Sequence, residues 1–184
     1  GRTELARAIF GASRADGGEL SLEERRVGLS AHPRRSLARG IAYLSEDRKG
    51  EGLMLQLSIR ENMALAVLGK ISRALFVDAR RERELVGTYA KSFTIRMTSM
   101  EQPAESLSGG NQQKVVISKL LATQARVFIF DEPTRGIDVG AKYEIYRIMN
   151  DLTAEGRGII FISSELPEVL GVSELEATAD EAVA

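Results

Sequence analysis

The chain has 184 residues, 43% of them hydrophobic and 28% charged, with a net charge of −1 and no cysteine. That is enough for one domain with a real core, or a domain plus a small lobe. It excludes a disulfide framework and a thiolate metal site, and it lacks the basic excess that nucleic-acid binding leaves behind. The longest apolar runs, Met63–Leu68 and Ile159–Ile162, fall far short of the ~20 residues that span a bilayer. With no signal-peptide pattern at the start, the expectation is a soluble chain that meets a membrane only through a partner.

Gly1-Arg2-Thr3-Glu4 leads directly into a helical pattern with Leu5 and Ile9 on one face and Gly11 near its end. These residues match the tail of a G-x-x-x-x-G-K-[ST] phosphate loop, with Arg2 at the lysine place. Three residues alone match by chance, and a chain opening this way reads as cut. Asp16-Gly17-Gly18 is a turn signal, and Leu20, Leu22, Val27 and Leu29 around it predict short antiparallel strands. His32, beside Pro33, belongs in a surface loop, because no second histidine exists to share a metal. Ile41–Leu44 reads as a buried strand running into the charged, glycine-punctuated loop Ser45–Gly52.

A helical lobe comes next. Ser58 and Glu61 have capping-box spacing ahead of Met63, Leu65, Val67 and Leu68. Asp78 opens a second helix with Leu85, Tyr89 and Phe93 on one stripe and Arg80–Glu84 as its wet face. Gln102-Pro103 closes the lobe.

Ser108 then opens a helix, its hydroxyl placed to accept a backbone N–H of the first turn. Gly109 and Gly110 let another molecule approach the backbone. Val116, Ile117, Leu120 and Leu121 line one face, leaving Lys114 and Lys119 for the outer one. A bare helix N-terminus of this kind carries about +0.5 of effective charge and suits a phosphate. An ordinary serine-capped helix fits the same residues, and the strand after the helix decides between the two. Val127–Asp131 is an apolar strand ending in the carboxylates Asp131 and Glu132. Gly136-Ile137-Asp138 is a tight loop, and Ala141, Ile145, Ile148, Met149 and Leu152 mark a helix closed by Gly156. Gly158–Ile162 is another apolar strand, ending in Ser163-Ser164-Glu165. Buried runs alternating with amphipathic helices predict a parallel sheet covered on both faces. Chemistry in such sheets gathers beyond the carboxyl ends of the strands, where Glu46, Asp131, Glu132 and Ser164 all stand.

Together these residues resemble the nucleotide-binding domain of an ATP-binding cassette (ABC) transporter. LSGGN at 107–111 is similar to its signature motif, VFIFDEPT at 127–134 to its Walker B strand, and 136–138 to its D-loop. The longer strings LSGGNQQK, DEPTRGIDVGAK, ISSELPE and YLSEDRKGEGL resemble one branch. That branch is the second of two fused cassettes in the ATP-binding subunit of bacterial ribose, galactose and xylose importers. The resemblance implies an α/β P-loop NTPase fold, a mostly parallel sheet flanked by helices with a small helical subdomain, here without the strand that leads into the phosphate loop. It divides the chain into a partial core at 1–52, a helical lobe at 53–106, the remaining core at 107–173, and a tail at 174–184. A segment omitted near Ser173-Glu174, or a natural truncation there, is expected.

It also implies roles. ATP and Mg²⁺ would be the cofactors, with Thr3 and Asp131 serving the metal and Glu132 as general base. Gly1, Arg2, Thr3, Glu46 and Ser164 would border the chain's own nucleotide. Ser108, Gly109, Gly110, Asn111 and Gln112, with Asp138 of the D-loop, would close over a nucleotide held by a partner cassette. Three positions depart from the family pattern: Arg2 for lysine, Glu46 for glutamine and Ser164 for histidine. Arginine's planar fork does not fit a loop shaped around an ammonium. The chain's own site is therefore expected to bind weakly and turn over slowly or not at all, while its signature serves the partner. The other partners implied are transmembrane permease subunits and, indirectly, a periplasmic sugar-binding protein, with the chain peripheral on the cytoplasmic face of the inner membrane. The competing reading is a catalytically silent cassette whose motifs are remnants.

Overall fold

The computed structural model describes residues 1–29, 31–73 and 76–172. The expected break near Ser173-Glu174 and the tail at 174–184 lie outside the described residues. Helix α1 (Arg2–Phe10) ends where Gly11 turns left-handed at φ 80° and donates back to Ala8 and Arg7, a position that glycine fills without steric cost. Strands β1 (Leu20–Leu22) and β2 (Arg25–Val27) pair antiparallel, as the turn signal predicts. Helix α2 (Pro33–Ala38) begins on its proline, with His32 as an exposed N-cap residue. Strand β3 (Ile41–Leu44) is buried throughout.

Beyond β3, the charged loop is not an open turn. Asp47 accepts the Gly50 N–H and winds Arg48–Gly52 into a short π-turn. Helix α3 (Ile59–Ala64) starts in a full reciprocal capping box, Ser58 with Glu61. Helix α4 (Leu68–Ile71), the short strands β4 (Ser72–Arg73) and β5 (Phe76–Val77), and helix α5 (Ala79–Ser92), capped by Asp78, complete the segment. One residue departs from the predicted wet face of α5. Glu82 is buried and paired with Arg60, which also reaches Glu101 at 2.9 Å, so only part of Arg80–Glu84 faces water.

Asn62 stitches this segment to the chain before it. Its fully buried amide accepts from the Met54 N–H at 2.8 Å and donates to the carbonyls of Met54, Leu57 and Ser58. Asn62→Leu takes the partner from the Met54 N–H, while the carbonyls of Met54, Leu57 and Ser58 keep their backbone donors from Leu57, Ala104 and residue 62; an orphaned buried polar group costs about 1–3 kcal/mol. The variant's urea midpoint should fall accordingly, with the slope unchanged.

Helix α6 (Gly109–Leu121), strand β6 (Val127–Asp131), helix α7 (Val139–Ala154) and strand β7 (Gly158–Ile162) come next, then a helix at 166–172. Among the described residues the central sheet runs β3–β6–β7, all parallel, with Tyr43 level with Ile129 and Phe130 level with Phe161. The strand period of two divides its side chains cleanly. Ile41, Tyr43 and Ile129 pack with Ala6, Ile9 and Phe10 of α1 on one face. Ala42, Leu44, Phe128 and Phe130 pack with Val116, Ile117 and Leu120 of α6 and Ile145, Ile148 and Met149 of α7 on the other.

Because α6 is wedged between α3, α5 and α7, it has no outer face, and the reading of Lys114 and Lys119 as surface lysines is overturned. Lys114 is 4% exposed and paired with Glu144 at 2.5 Å. Lys119 donates to the Gly52 carbonyl, and burial holds its pKa below the ordinary lysine value.

Candidate functional site

The carboxyl end of β6 is the first of two places where the candidate residues meet. Asp131 is fully buried; its two oxygens accept from Thr3 Oγ1 at 3.3 Å and Tyr43 OH at 3.0 Å. Burial first, and this bond to Asp131 second, push the Tyr43 phenol up to about 12, so it remains a donor. Glu132 turns out of the strand at φ 49°, an unusual conformation for a residue with a Cβ. It is held there by its N–H on the Ile162 carbonyl at 2.9 Å. Left-handed backbone at a strand end re-aims a side chain away from the sheet, and such strain gathers at functional sites.

The neighbouring ends complete this group. Arg2 reaches the Ser163 carbonyl at 2.8 Å, and Ser164 beside it is exposed. Glu46 is also exposed and pairs with Arg135 at 2.7 Å. Gly1 precedes the first turn of α1, where its carbonyl takes the Leu5 N–H, with open space around its α-carbon. Thr3, Asp131, Glu132, Glu46 and Ser164 thus stand at one end of the sheet, while Arg2 is committed to a strand-end carbonyl.

The second group forms where α6 and α7 begin. Ser108 occupies the N-cap of α6, but its hydroxyl caps nothing. It accepts instead from Asn111 Nδ2 at 2.9 Å, while Asn111 Oδ1 takes the Arg96 N–H at 2.8 Å. The first N–H groups of a helix have no partner within it, so this head keeps its donors without a side-chain cap. Asp138 caps α7, accepting the Ala141 N–H at 3.0 Å. Arg96, Ser108, Asn111, Lys114, Asp138 and Glu144 line a polar cleft of about 200 Å³ at this point.

Gly109 and Gly110 differ in what they make room for. A β-carbon on Gly109 would come 3.3 Å from Arg48 Nη2 and 3.4 Å from the Gly136 carbonyl. On Gly110 it would stand 2.6 Å from the Ala141 methyl. Gly110 is thus required by the packing of α6 on α7, whatever else approaches it. Gln112 does not join the group: it is 5% exposed and donates to the Ala104 carbonyl at 3.3 Å.

A further cluster joins residues of two of the quoted strings, DEPTRGIDVGAK and ISSELPE, whose pairing the sequence does not reveal. The buried Glu168 accepts from Thr134, Ser163 and Lys142, side chains far apart in the chain. Tyr43 and Arg96 are likewise placed by folding; only Tyr43's position one strand over from Asp131 could have been anticipated from a parallel register. Among the described residues no group of three or more His, Cys, Asp or Glu side chains could hold a metal, and no helix is long and apolar enough to cross a membrane.

The ABC transporter family profile matches residues 1–135. The chain is 49% identical over 174 residues to the ribose import ATP-binding protein RbsA of Geobacillus kaustophilus, covering 95% of this chain and 35% of that protein. It is 49% identical over 175 residues to a putative ribose/galactose/methyl galactoside import ATP-binding protein of Agrobacterium fabrum, covering 95% and 34%. The chain therefore spans about a third of the length of the curated relatives it matches. The fold is similar to a dimeric post-hydrolysis state of the ATP-binding cassette MJ0796 bound to ADP and Pi. That match has a TM-score of 0.75 at 18% identity and covers 91% of this chain and 72% of the other. A matched profile over most of the chain, a three-stranded parallel core with both carboxylates at the end of β6, and half-identical relatives together make this polypeptide a member of the ABC transporter ATP-binding family.

Proposed function

We propose that this chain is part of the ATP-binding subunit that energises import of a monosaccharide, and that it contributes chiefly by presenting the head of α6 to a nucleotide held by a second cassette. The observation that carries this reading is the uncapped glycine start of α6, set beside Asp138 in a polar cleft. Backbone N–H groups aimed at developing charge are worth about 10²–10³ each in rate, and donors supplied in trans to a phosphoryl group about 10³–10⁵. Ser108, Gly109, Gly110 and Asn111 are the residues of that lid, with Asp138 at its edge. Gln112, turned inward, supports the helix instead.

The chain's own site is the lesser one. Arg2, in the lysine place, is drawn to the Ser163 carbonyl, and its fixed fork cannot replace a mobile ammonium there. Glu46 adds a carboxylate, and Ser164 lacks the ring donor expected near a γ-phosphate. Thr3 Oγ1 and Asp131 Oδ1 are hard oxygen donors 3.3 Å apart, a pair suited to Mg²⁺, which takes one or two protein oxygens and keeps much of its water. When bound, that ion would neutralise phosphate charge. The division into core (1–52 and 107–173) and helical lobe (53–106) belongs to the same proposal. So do the permease and sugar-binding partners and the peripheral position at the inner face of the membrane.

Glu132 decides between the two sites. In the complete transporter, Glu132→Gln should leave most steady-state ATP turnover in place, because the sites differ in competence. A loss of 10²-fold or more would mean that the site built on Arg2 and Thr3 is the one that works, and the proposal would fall.

A further inference from the structure

Glu168, on the helix at 166–172, is 8% exposed and spends both oxygens inside the protein. Oε1 accepts from Lys142 Nζ at 2.7 Å and Thr134 Oγ1 at 2.9 Å; Oε2 accepts from Thr134 at 2.8 Å and Ser163 Oγ at 2.8 Å. Tyr146 adds its hydroxyl. Burial raises the Glu168 pKa, but the bonds from Lys142, Thr134, Ser163 and Tyr146 outweigh it and hold the carboxyl below its ordinary value. The donors come from three different segments. Thr134 lies two residues past Glu132, Ser163 directly follows the β7 strand, and Lys142 stands one turn into α7 from Asp138.

The contacts continue. Ala141, adjacent to Lys142, is the residue against which Gly110 is packed. A line of direct contacts therefore runs from the strand ends through Glu168 and Lys142 to the first turn of α7, and from there to the head of α6. Lys142 is half-buried and also pairs with the exposed Glu165 at 3.1 Å; an ion pair whose carboxylate is buried is a poor device for stability alone, since desolvation consumes much of the attraction. What such a pair does well is select one arrangement of the elements it joins.

We propose that Glu168 is a positioning residue acting through Lys142: it pins the first turn of α7 and so sets how the glycine head of α6 is presented to the partner's nucleotide. The inference rests on the in-trans reading above.

The test uses the complete transporter with Lys142→Met, Glu168→Gln and the two combined. Each single variant should lower kcat about tenfold, with the KM for ATP within about twofold, because the cradle holding the nucleotide is on the partner. Lys142→Arg, which keeps charge and donors, should retain most turnover. The combined variant is decisive, since it buries no unmatched charge. It should regain wild-type thermal stability yet stay about tenfold slow, no worse than the poorer single variant. Recovery of turnover along with stability would reduce the pair to a structural contact and overturn the inference, as would wild-type kcat in Lys142→Met. Ser108→Asp in the same complex separates the two failures. An inactive Ser108→Asp beside a fully active Lys142→Met sinks this inference alone; an active Ser108→Asp sinks the reading it rests on.

Discussion

Ser108→Asp should leave the cassette at least as stable as wild type while lowering ATP turnover of the assembled transporter by about 10²–10³-fold. The two effects separate because aspartate is as good an N-cap as serine, and its charge is favourable at the positive end of the α6 dipole. In the native chain the Ser108 hydroxyl caps nothing and is occupied with Asn111, so the donors of the first turn are available. A carboxylate at 108 would take those donors itself and set a negative charge where a phosphoryl oxygen is proposed to lie. Thermal melts of the cassette and steady-state phosphate release from the complex are the two measurements. Turnover within a few-fold of wild type, in a protein no less stable, would mean that the head of α6 does not meet the nucleotide.

The second large effect concerns Gly110 and is at heart a packing result. Alanine there brings its β-carbon within 2.6 Å of the Ala141 methyl, far inside carbon contact distance. The helices must part, at about 1–3 kcal/mol for overpacking, and α6 must shift relative to Asp138. Turnover should therefore drop steeply in Gly110→Ala although the added methyl is small and uncharged. Ala141→Gly removes the obstructing atom, and the Gly110→Ala/Ala141→Gly double variant should recover both stability and most of the activity. If the double variant folds well but stays inactive, the space over Gly110 is needed by the nucleotide as well as by α7. An aspartate at Gly110 combines both insults and cannot tell them apart, which is why the position 108 variant is the cleaner probe of the in-trans site.

Local chemistry in the chain was enough to determine much of this protein. Capping by Ser58, Asp78 and Asp138, the stop at Gly11 and the antiparallel pair around Leu20 and Val27 all depend on neighbours within a few residues, so they are written locally. The parallel sheet came from apolar runs of strand length separated by helical periods, and the carboxylates of Asp131 and Glu132 fell at its edge because strand ends are where apolar runs stop. Tertiary structure decided everything that required knowing which faces meet. Lys114 and Lys119 fall off the apolar stripe of an isolated α6, yet α3, α5 and α7 surround that helix, burying Lys114 and half-burying Lys119. Glu82 left its wet face for Arg60, Gln112 turned inward, and Ser108 found Asn111 before it found the backbone. Gly110, read as room for a ligand, is also room for Ala141, and Glu168, the last residue of ISSELPE with no role readable there, gathered three segments around one carboxylate. The division has one physical cause: hydrogen bonds and periodicities within a turn or strand are encoded by spacing, whereas burial and long-range pairing depend on how elements pack, which no short stretch of chain specifies.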